Sequence, residues 1–362
     1  MFGVSSKDLR EARARGRSGD RAVLARLVTL LMIVVMAVVA VAALAIGATD
    51  TSLWGAIGDI LTGRELDNRE RIIIFDIRLP RLAMGMMVGA ALAVSGAVMQ
   101  GLFRNPLADP GLVGVGAGAG LGAISAIVLG SMLPLAFQSL IGNWLVPFAA
   151  FAGGWLTTIL LYRVSTSNGR TSVAVMLLAG IALGALTGAL SGILVYNAND
   201  AQLRDLTFWG LGSLAGATWT KVLVAFPLIA AALIAAPFLA RGLNGLTLGE
   251  AAATHLGVPV QRLKSYSILL VAGAVGAAVA VSGGIGFIGI VVPHLLRLAM
   301  GPDHRYLLPA AAILGAALLV TADIIARVVV APAELPIGIV TAVIGGPFFL
   351  WILLKNRGVL DM

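Results

Sequence analysis

Arg104-Asn105-Pro106-Leu107-Ala108-Asp109-Pro110 separates two apolar runs, and what flanks it decides the fold. Upstream, Arg78-Leu79-Pro80-Arg81 opens an apolar run that reaches Phe103. Downstream comes Gly111-Leu112-Val113-Gly114-Val115-Gly116-Ala117-Gly118-Ala119-Gly120. The Asn-Pro and Asp-Pro pairs stop one helix and set up the next, because proline lacks an amide hydrogen and restricts the residue before it. The glycines then leave a nearly smooth helix surface. On a helix inside a membrane, that points to a transport path rather than an anchor.

The bulk composition agrees. Of 362 residues, 59% are hydrophobic and 12% charged, where a soluble domain carries about 25% charged residues. Apolar runs near the length needed to cross roughly 30 Å of hydrocarbon recur from end to end. The expected class is all-α and polytopic, with spans at 24–48, 80–103, 109–131, 142–163, 171–196, 219–240, 264–283, 286–299, 305–326 and 338–355. The span at 286–299 is short for a full crossing and calls for tilt or irregular backbone. Residues 1–22 read as a basic tail, 23–356 as one transmembrane domain, and 357–362 as a short C-terminus. Ala43-Leu44-Ala45 imitates a signal-peptidase site, but the run from Leu27 to Ala48 is too long for a cleaved core, so the first span is expected to stay.

The net charge of +8 does not imply nucleic acid, because the charges sit in loops with no basic face and no aromatic platform. With no cysteines, disulfides, thiolate metal sites and cysteine nucleophiles are excluded. Lys and Arg concentrate in the tail and in every second connection, which places both termini in the cytoplasm. The first outer loop, with Arg64, Arg69, Arg71, Arg78 and Arg81, goes against that rule. No ionisable residue is expected mid-span, with Asp323 the nearest. Proton- and ion-coupled carriers keep such groups as relays, so a stand-alone secondary transporter or channel is the weaker alternative. Gly85-x-x-x-Gly89, Gly114-x-x-x-Gly118, Gly116-x-x-x-Gly120, Gly180-x-x-x-Gly184 and Gly184-x-x-x-Gly188 fit close helix packing, with a subunit interface or moving pore helix as the other reading. No phosphate loop, H-E-x-x-H or G-x-S-x-G occurs, so the chain is not expected to be an enzyme. His255, His294 and His304 all fall on the inner side and read as structural.

The longest inner connection, 241–263, contains Thr247-Leu248-Gly249-Glu250 and, beyond it, Leu256-Gly257-Val258-Pro259. Thr247 with Glu250 is a capping-box pattern, and Gly257 with Pro259 a stop. A short helix over about 247–257 is therefore expected outside the membrane, either docking into a partner or merely linking two spans.

These motifs, in this order, resemble the FecCD family of permease subunits of ABC importers for ferric siderophores, haem and vitamin B12. The resemblance rests on Arg78-Leu79-Pro80-Arg81, Gly89 to Gln100, Asn105 to Gly111, Leu248-Gly249-Glu250, Leu256-Gly257-Val258, Gly284 to Gly289, Pro293-His294-Leu295-Leu296-Arg297, Glu334 to Gly338 and Gly345 to Phe349, from about residue 27 to 356. It implies the type II ABC importer permease fold in the bacterial inner membrane, a homodimer, two separate ABC ATPase subunits and a periplasmic haem- or siderophore-binding protein. No cofactor is expected on this chain, and ATP is used by the partner.

The resemblance also implies site residues. The 247–257 segment becomes the coupling helix, with Leu248, Gly249, Glu250, His255, Leu256 and Gly257 as its ATPase contacts. Arg78, Arg81 and Arg327 become docking residues for the binding protein, against the alternative that Asp76 and Glu334 neutralise them. The pathway is expected along Ser172–Tyr196, with Ala182, Leu183, Leu186 and Leu190 on its wall. Gln100, Asn105 and Asn197 are the polar residues of that region, with loop hydrogen bonding as their other role. The segment Tyr196–Trp219 looks most like haem importers and suggests an aromatic outer vestibule. Haem is the favoured cargo, then ferric siderophore, then cobalamin.

Overall fold

The structure is a computed structural model that describes residues 21–47, 52–64 and 67–355. Most of the basic tail and the C-terminal segment 357–362 lie outside the described residues. The first helices are α1 (Ala22–Ala45) and α2 (Leu53–Thr62). A helical run from Asn68 passes through a π-helical stretch, Ile72–Arg78, into α3 (Leu79–Phe103). Pro80 is the second residue of α3, directly after the π-helical stretch. Next come α4 (Val115–Leu129) and α5 (Leu135–Ser165), then a hairpin of β1 (Thr166–Ser167) and β2 (Arg170–Thr171). The chain continues through α6 (Val173–Tyr196), α7 (Asp200–Leu211), α8 (Trp219–Leu246), α9 (Glu250–His255), α10 (Val260–Ser282), α11 (Ile288–Met300), α12 (His304–Val328) and α13 (Ile337–Lys355).

Among the described residues, eight helices are long and apolar enough to cross a bilayer, and α11 and α13 are shorter apolar helices. Each of the ten expected spans finds its helix, with ends displaced by no more than about two turns. The hub is α3, which packs against α8, α10, α11 and α12. Of the most apolar window of its helical run, 78% is buried, against 11% for α1 and for α6. Those two helices therefore lie at the edge of the bundle.

Glycine sets the spacing around the hub. A Cβ on Gly89 would overlap the Gly315 carbonyl of α12, and one on Gly96 would overlap the Gly289 carbonyl of α11. Gly118 and Gly153 do the same where α4 crosses α5. Gly184 and Gly188, by contrast, have nothing within 4 Å of such a Cβ. The close-packing reading thus holds at Gly89 and Gly118 and not at Gly184 and Gly188. Gly96→Val is expected to abolish the monodisperse peak in detergent gel filtration, because two backbones would have to separate. Gly184→Val should elute as wild type. Equal behaviour of the two would refute this division.

The decisive loop turns out to be re-entrant. Arg104 ends α3 in the left-handed region at φ 51°, and the Asn105 amide donates back to the Gln100 carbonyl. The Asn105 side chain accepts from the Leu107 amide at 2.9 Å, and Asp109 from the Gly111 amide at 2.7 Å. Pro110 then packs on Gly289, which itself packs against Leu92 and Gly96 near the midpoint of α3. The loop is therefore folded back to the level of the middle of α3, with Asp109 one residue before the contact. Gly289 at that level also explains why α11 is short: it begins halfway through the bundle.

Candidate transport pathway and coupling surface

At the end of the bundle formed by the C-termini of α3 and α8 and the N-termini of α10 and α12, α9 stands out from the helices. It is shorter than expected, six residues, and the capping box is not formed. The Thr247 hydroxyl donates to the Asn244 carbonyl at 2.6 Å, inside the last turn of α8. Glu250 is drawn instead to Lys264, at 2.7 Å. Gly249 caps α9 at φ 101°, and Gly257 follows it at φ 80°, so the helix hangs between two backbone positions that favour glycine. Leu248 and Leu256 flank it with 67% and 66% exposure, and His255 is exposed. An open groove of about 770 Å³ runs alongside, lined by Arg170, Glu250, His255, Gln261 and Arg262. This is an apolar pair of anchors beside charged rims, the composition of a protein docking surface.

The same end holds a buried polar cluster. Gln100, expected near the pathway, is 2% exposed. Its amide donates to the Gly289 carbonyl at 3.1 Å and its oxygen accepts from Arg297. It clamps α3 to α11 and does not face a channel. His304 is buried and its Nδ1 lies 2.8 Å from Asn244 Oδ1. Asn244 also donates to Asp303 at 2.6 Å. The Arg305 guanidinium, bonded to Asp303, is the main cause that holds this carboxyl down at about 2. His294 stands edge-on to Phe348. The positions of His294 and His304 in packed contacts fit a structural role.

At the opposite end, Arg78, Arg81 and Arg327 converge, but as an internal clamp rather than an exposed row. They are 4%, 7% and 6% exposed. Arg81 lies 2.9 Å from both Asp323 and Glu334. Arg327 reaches Asp323, one turn back on α12, at 3.1 Å, and also the Ala43 carbonyl. Arg78 donates to the Leu44 and Ala45 carbonyls. The physical reason is cost: a buried guanidinium needs counter-charge or acceptors. Two carboxylates and the free carbonyls ending α1 supply them. Of the two neutralising partners weighed from the sequence, Glu334 is used and Asp76 is exposed; the further partner, Asp323, stood there only as the ionisable residue nearest mid-span. Only Glu334, with 34% side-chain exposure, opens the cluster to the outside.

Along the side of the bundle, α6 offers a wide uncharged face. Ala182, Leu186 and Leu190 are exposed, as are Ile181, Ile193 and Tyr196, whereas Leu183 packs toward the core. Met176 and Thr187 are buried on the inner face, toward α4 and α5. Asn105 and Asn197 are exposed, and the Asn197 amide is spent on the Ile193 carbonyl at 2.8 Å. After α6, Asn199 and Gln202 form a reciprocal capping box that starts α7. Phe208 on α7 is 53% exposed, and the Trp219 indole donates to the Phe75 carbonyl at 2.8 Å. Trp209 lines a separate cavity of about 350 Å³ with Asp109, Gly284 and Phe287.

Residues 28–355 match the FecCD transport family. The chain is 49% identical over 285 residues to the hemin transport system permease protein HmuU of Yersinia pestis, covering 79% of this chain and 84% of that protein. It is 44% identical over 289 residues to the cobalamin import system permease protein BtuC of Halobacterium salinarum, covering 80% and 75%. It is 43% identical over 304 residues to the vitamin B12 import system permease protein BtuC of Escherichia coli O9:H4, covering 84% and 89%. Among solved structures, a metal-chelate type ABC transporter in an inward-facing conformation superposes with a TM-score of 0.79 and 33% identity, over 91% of this chain and 99% of that one. The helix arrangement is that of a type II ABC importer permease. With a family match over nearly all of its length, the chain belongs to the FecCD transport family.

Proposed function

We propose that the chain is the membrane subunit of an ATP-driven importer, that two copies form the pathway, and that haem is the cargo. The observation that carries this reading is α9, a hinged helix outside the bundle whose flanking leucines are exposed for a partner. An ABC ATPase subunit is that partner, which places α9 and both termini in the cytoplasm and the protein in the bacterial inner membrane. The open α6 faces of two copies enclose the path. A wall of Ala, Leu and Gly without charge lets a large, partly apolar cargo pass without sticking.

A periplasmic binding protein docks at the arginine end. Its carboxylates have to compete with Glu334 for Arg81, since the guanidiniums are already paired. Haem is favoured by the likeness to a hemin permease and by exposed Tyr196 and Phe208, whose rings suit a flat macrocycle. The BtuC relatives make cobalamin the second candidate, ahead of ferric siderophore.

The test is uptake into proteoliposomes that hold this chain and its ATPase, with binding protein outside and ATP inside. Haem, cobalamin and a ferric siderophore are compared side by side. ATP-dependent haem accumulation is the expected result. Uptake of another cargo alone keeps the mechanism and overturns haem. Uptake without the ATPase, driven by proton motive force, means a channel or secondary carrier instead.

A further inference from the structure

Lys264 is the least expected charge in the protein. It lies in the second turn of α10, 2% exposed. A methionine of similar length would fill the space without the cost of desolvating an ammonium group. The ammonium has two partners on two different elements. One is Glu250 Oε1 at 2.7 Å, on the first residue of α9. The other is the Thr171 carbonyl at 2.8 Å, in β2. Thr171 immediately precedes Ser172, whose hydroxyl caps α6.

The surroundings make this contact a mechanical one. The Thr171 amide donates to Gln261 Oε1 at 2.8 Å, so both backbone groups of Thr171 are held by the first turns of α10. The hairpin is tight: Asn168 and Gly169 both have positive φ, the Asn-Gly turn that matches strand twist. Its strands are closed by the Thr166 and Thr171 hydroxyls at 2.9 Å. It therefore moves as a unit with the start of α6. At the other end of the contact, α9 sits between Gly249 and Gly257, both in the left-handed region. Such a helix can pivot, and Glu250 ties its first turn to the bundle.

We propose that Lys264 is the strut through which movement of α9 reaches α6. This rests on the importer reading above, in which α9 meets the ATPase and α6 lines the path. Lys264 touches neither nucleotide nor cargo. It is a positioning residue that converts a pull on Glu250 into a displacement of Thr171 and the α6 N-terminus.

Two readouts test it. The first needs no ATPase: amide hydrogen exchange of the purified full-length permease. Lys264→Met should speed exchange at Thr171, Val175 and Met176 at least 10-fold, while the α3 amides stay protected. The second is cargo accumulated per ATP hydrolysed in the assembled complex, expected to fall at least 10-fold in Lys264→Met and to recover in Lys264→Arg. Glu250→Gln removes the α9 half alone. It should lower cargo per ATP without changing exchange at Thr171, and it keeps the test alive if Lys264→Met does not fold. Unchanged exchange in Lys264→Met, or faster exchange with cargo per ATP intact, overturns the strut. A merely structural lysine would lower uptake and hydrolysis together and leave their ratio alone, which also overturns it. If wild type accumulates cargo without any ATPase, the importer reading fails and takes the coupling role with it, whereas the exchange result still reports on the contact itself.

Discussion

Asp323→Ala is expected to cost the permease most of its folded yield. Asp323 is 3% exposed and accepts from two buried guanidiniums, Arg81 at 2.9 Å and Arg327 at 3.1 Å. Removing one partner of a buried ion pair costs about 3–5 kcal/mol, because the remaining charge stays out of water without compensation. Here a single carboxylate serves two arginines. Glu334 can hold Arg81 but stands apart from Arg327 in the ion pairs observed. Arg327 would keep only long contacts to backbone oxygens, the Ala43 carbonyl at 3.3 Å and the carbonyl of residue 323 at 3.4 Å. Since folded proteins exceed the unfolded state by about 5–15 kcal/mol, a loss of this size should appear as a several-fold drop in the monodisperse fraction and a lower Tm in detergent. Asp323→Leu combined with Arg327→Leu should recover part of the loss, since both the orphaned charge and its site vanish together. A wild-type Tm for Asp323→Ala would show that water reaches the cluster and that its burial is not a constraint on folding.

That cluster also shows what a sequence hides. Arg78 and Arg81 stood out because they break the charge rule for outer loops. Their solution, Asp323 and the α1 carbonyls, lies 242 residues from Arg81 on α12 and at the far end of the first span. No local pattern links those positions. The ten spans were legible because hydrophobic length is a property of each segment alone. The shortness of α11 was legible too, but its cause was not: the glycine contact between Gly96 and Gly289 that starts this helix midway along α3 needs two helices to be brought together.

The capping boxes show the same limit in local terms. Thr247-x-x-Glu250 has the right letters, yet Thr247 is the C-cap of α8 and Glu250 pairs with Lys264. Asn199-x-x-Gln202 has equally good letters and forms the box, with both reciprocal bonds at 3.0 Å. What separates them is tertiary: a buried ammonium takes the first carboxylate, whereas the tertiary bonds of Gln202, to the Ile127 and Val128 carbonyls, use its amide nitrogen and leave its oxygen for the box. Asn168-Gly169 was an available signal for the hairpin before α6, and with it the importance of Thr171 could have been suspected from sequence.

The surface at α9 supports the second large effect. Leu248→Glu combined with Leu256→Glu is expected to leave the permease itself folded, because substitutions at exposed positions stay within about 0.5 kcal/mol and Leu256, the C-cap of α9, serves there through its backbone amide, which glutamate keeps. Both leucines are two-thirds exposed, at 67% and 66%, so neither holds the bundle together. Their loss should be felt only when the ATPase binds. Burying a leucine side chain contributes roughly 1.5–3 kcal/mol, so two of them account for about a 100-fold change in affinity even at the lower figure. Each glutamate would in addition have to be desolvated in the partner's groove. The measurement is co-purification of the ATPase with the permease, quantified as an apparent Kd, alongside the Tm of the permease alone. Loss of the ATPase with Tm unchanged assigns the contact to α9. Loss of both would make the leucines part of the fold. Retention of the ATPase would move the coupling surface off this helix, and the groove beside it, with Arg170, His255 and Arg262, would then be where the partner has to be sought.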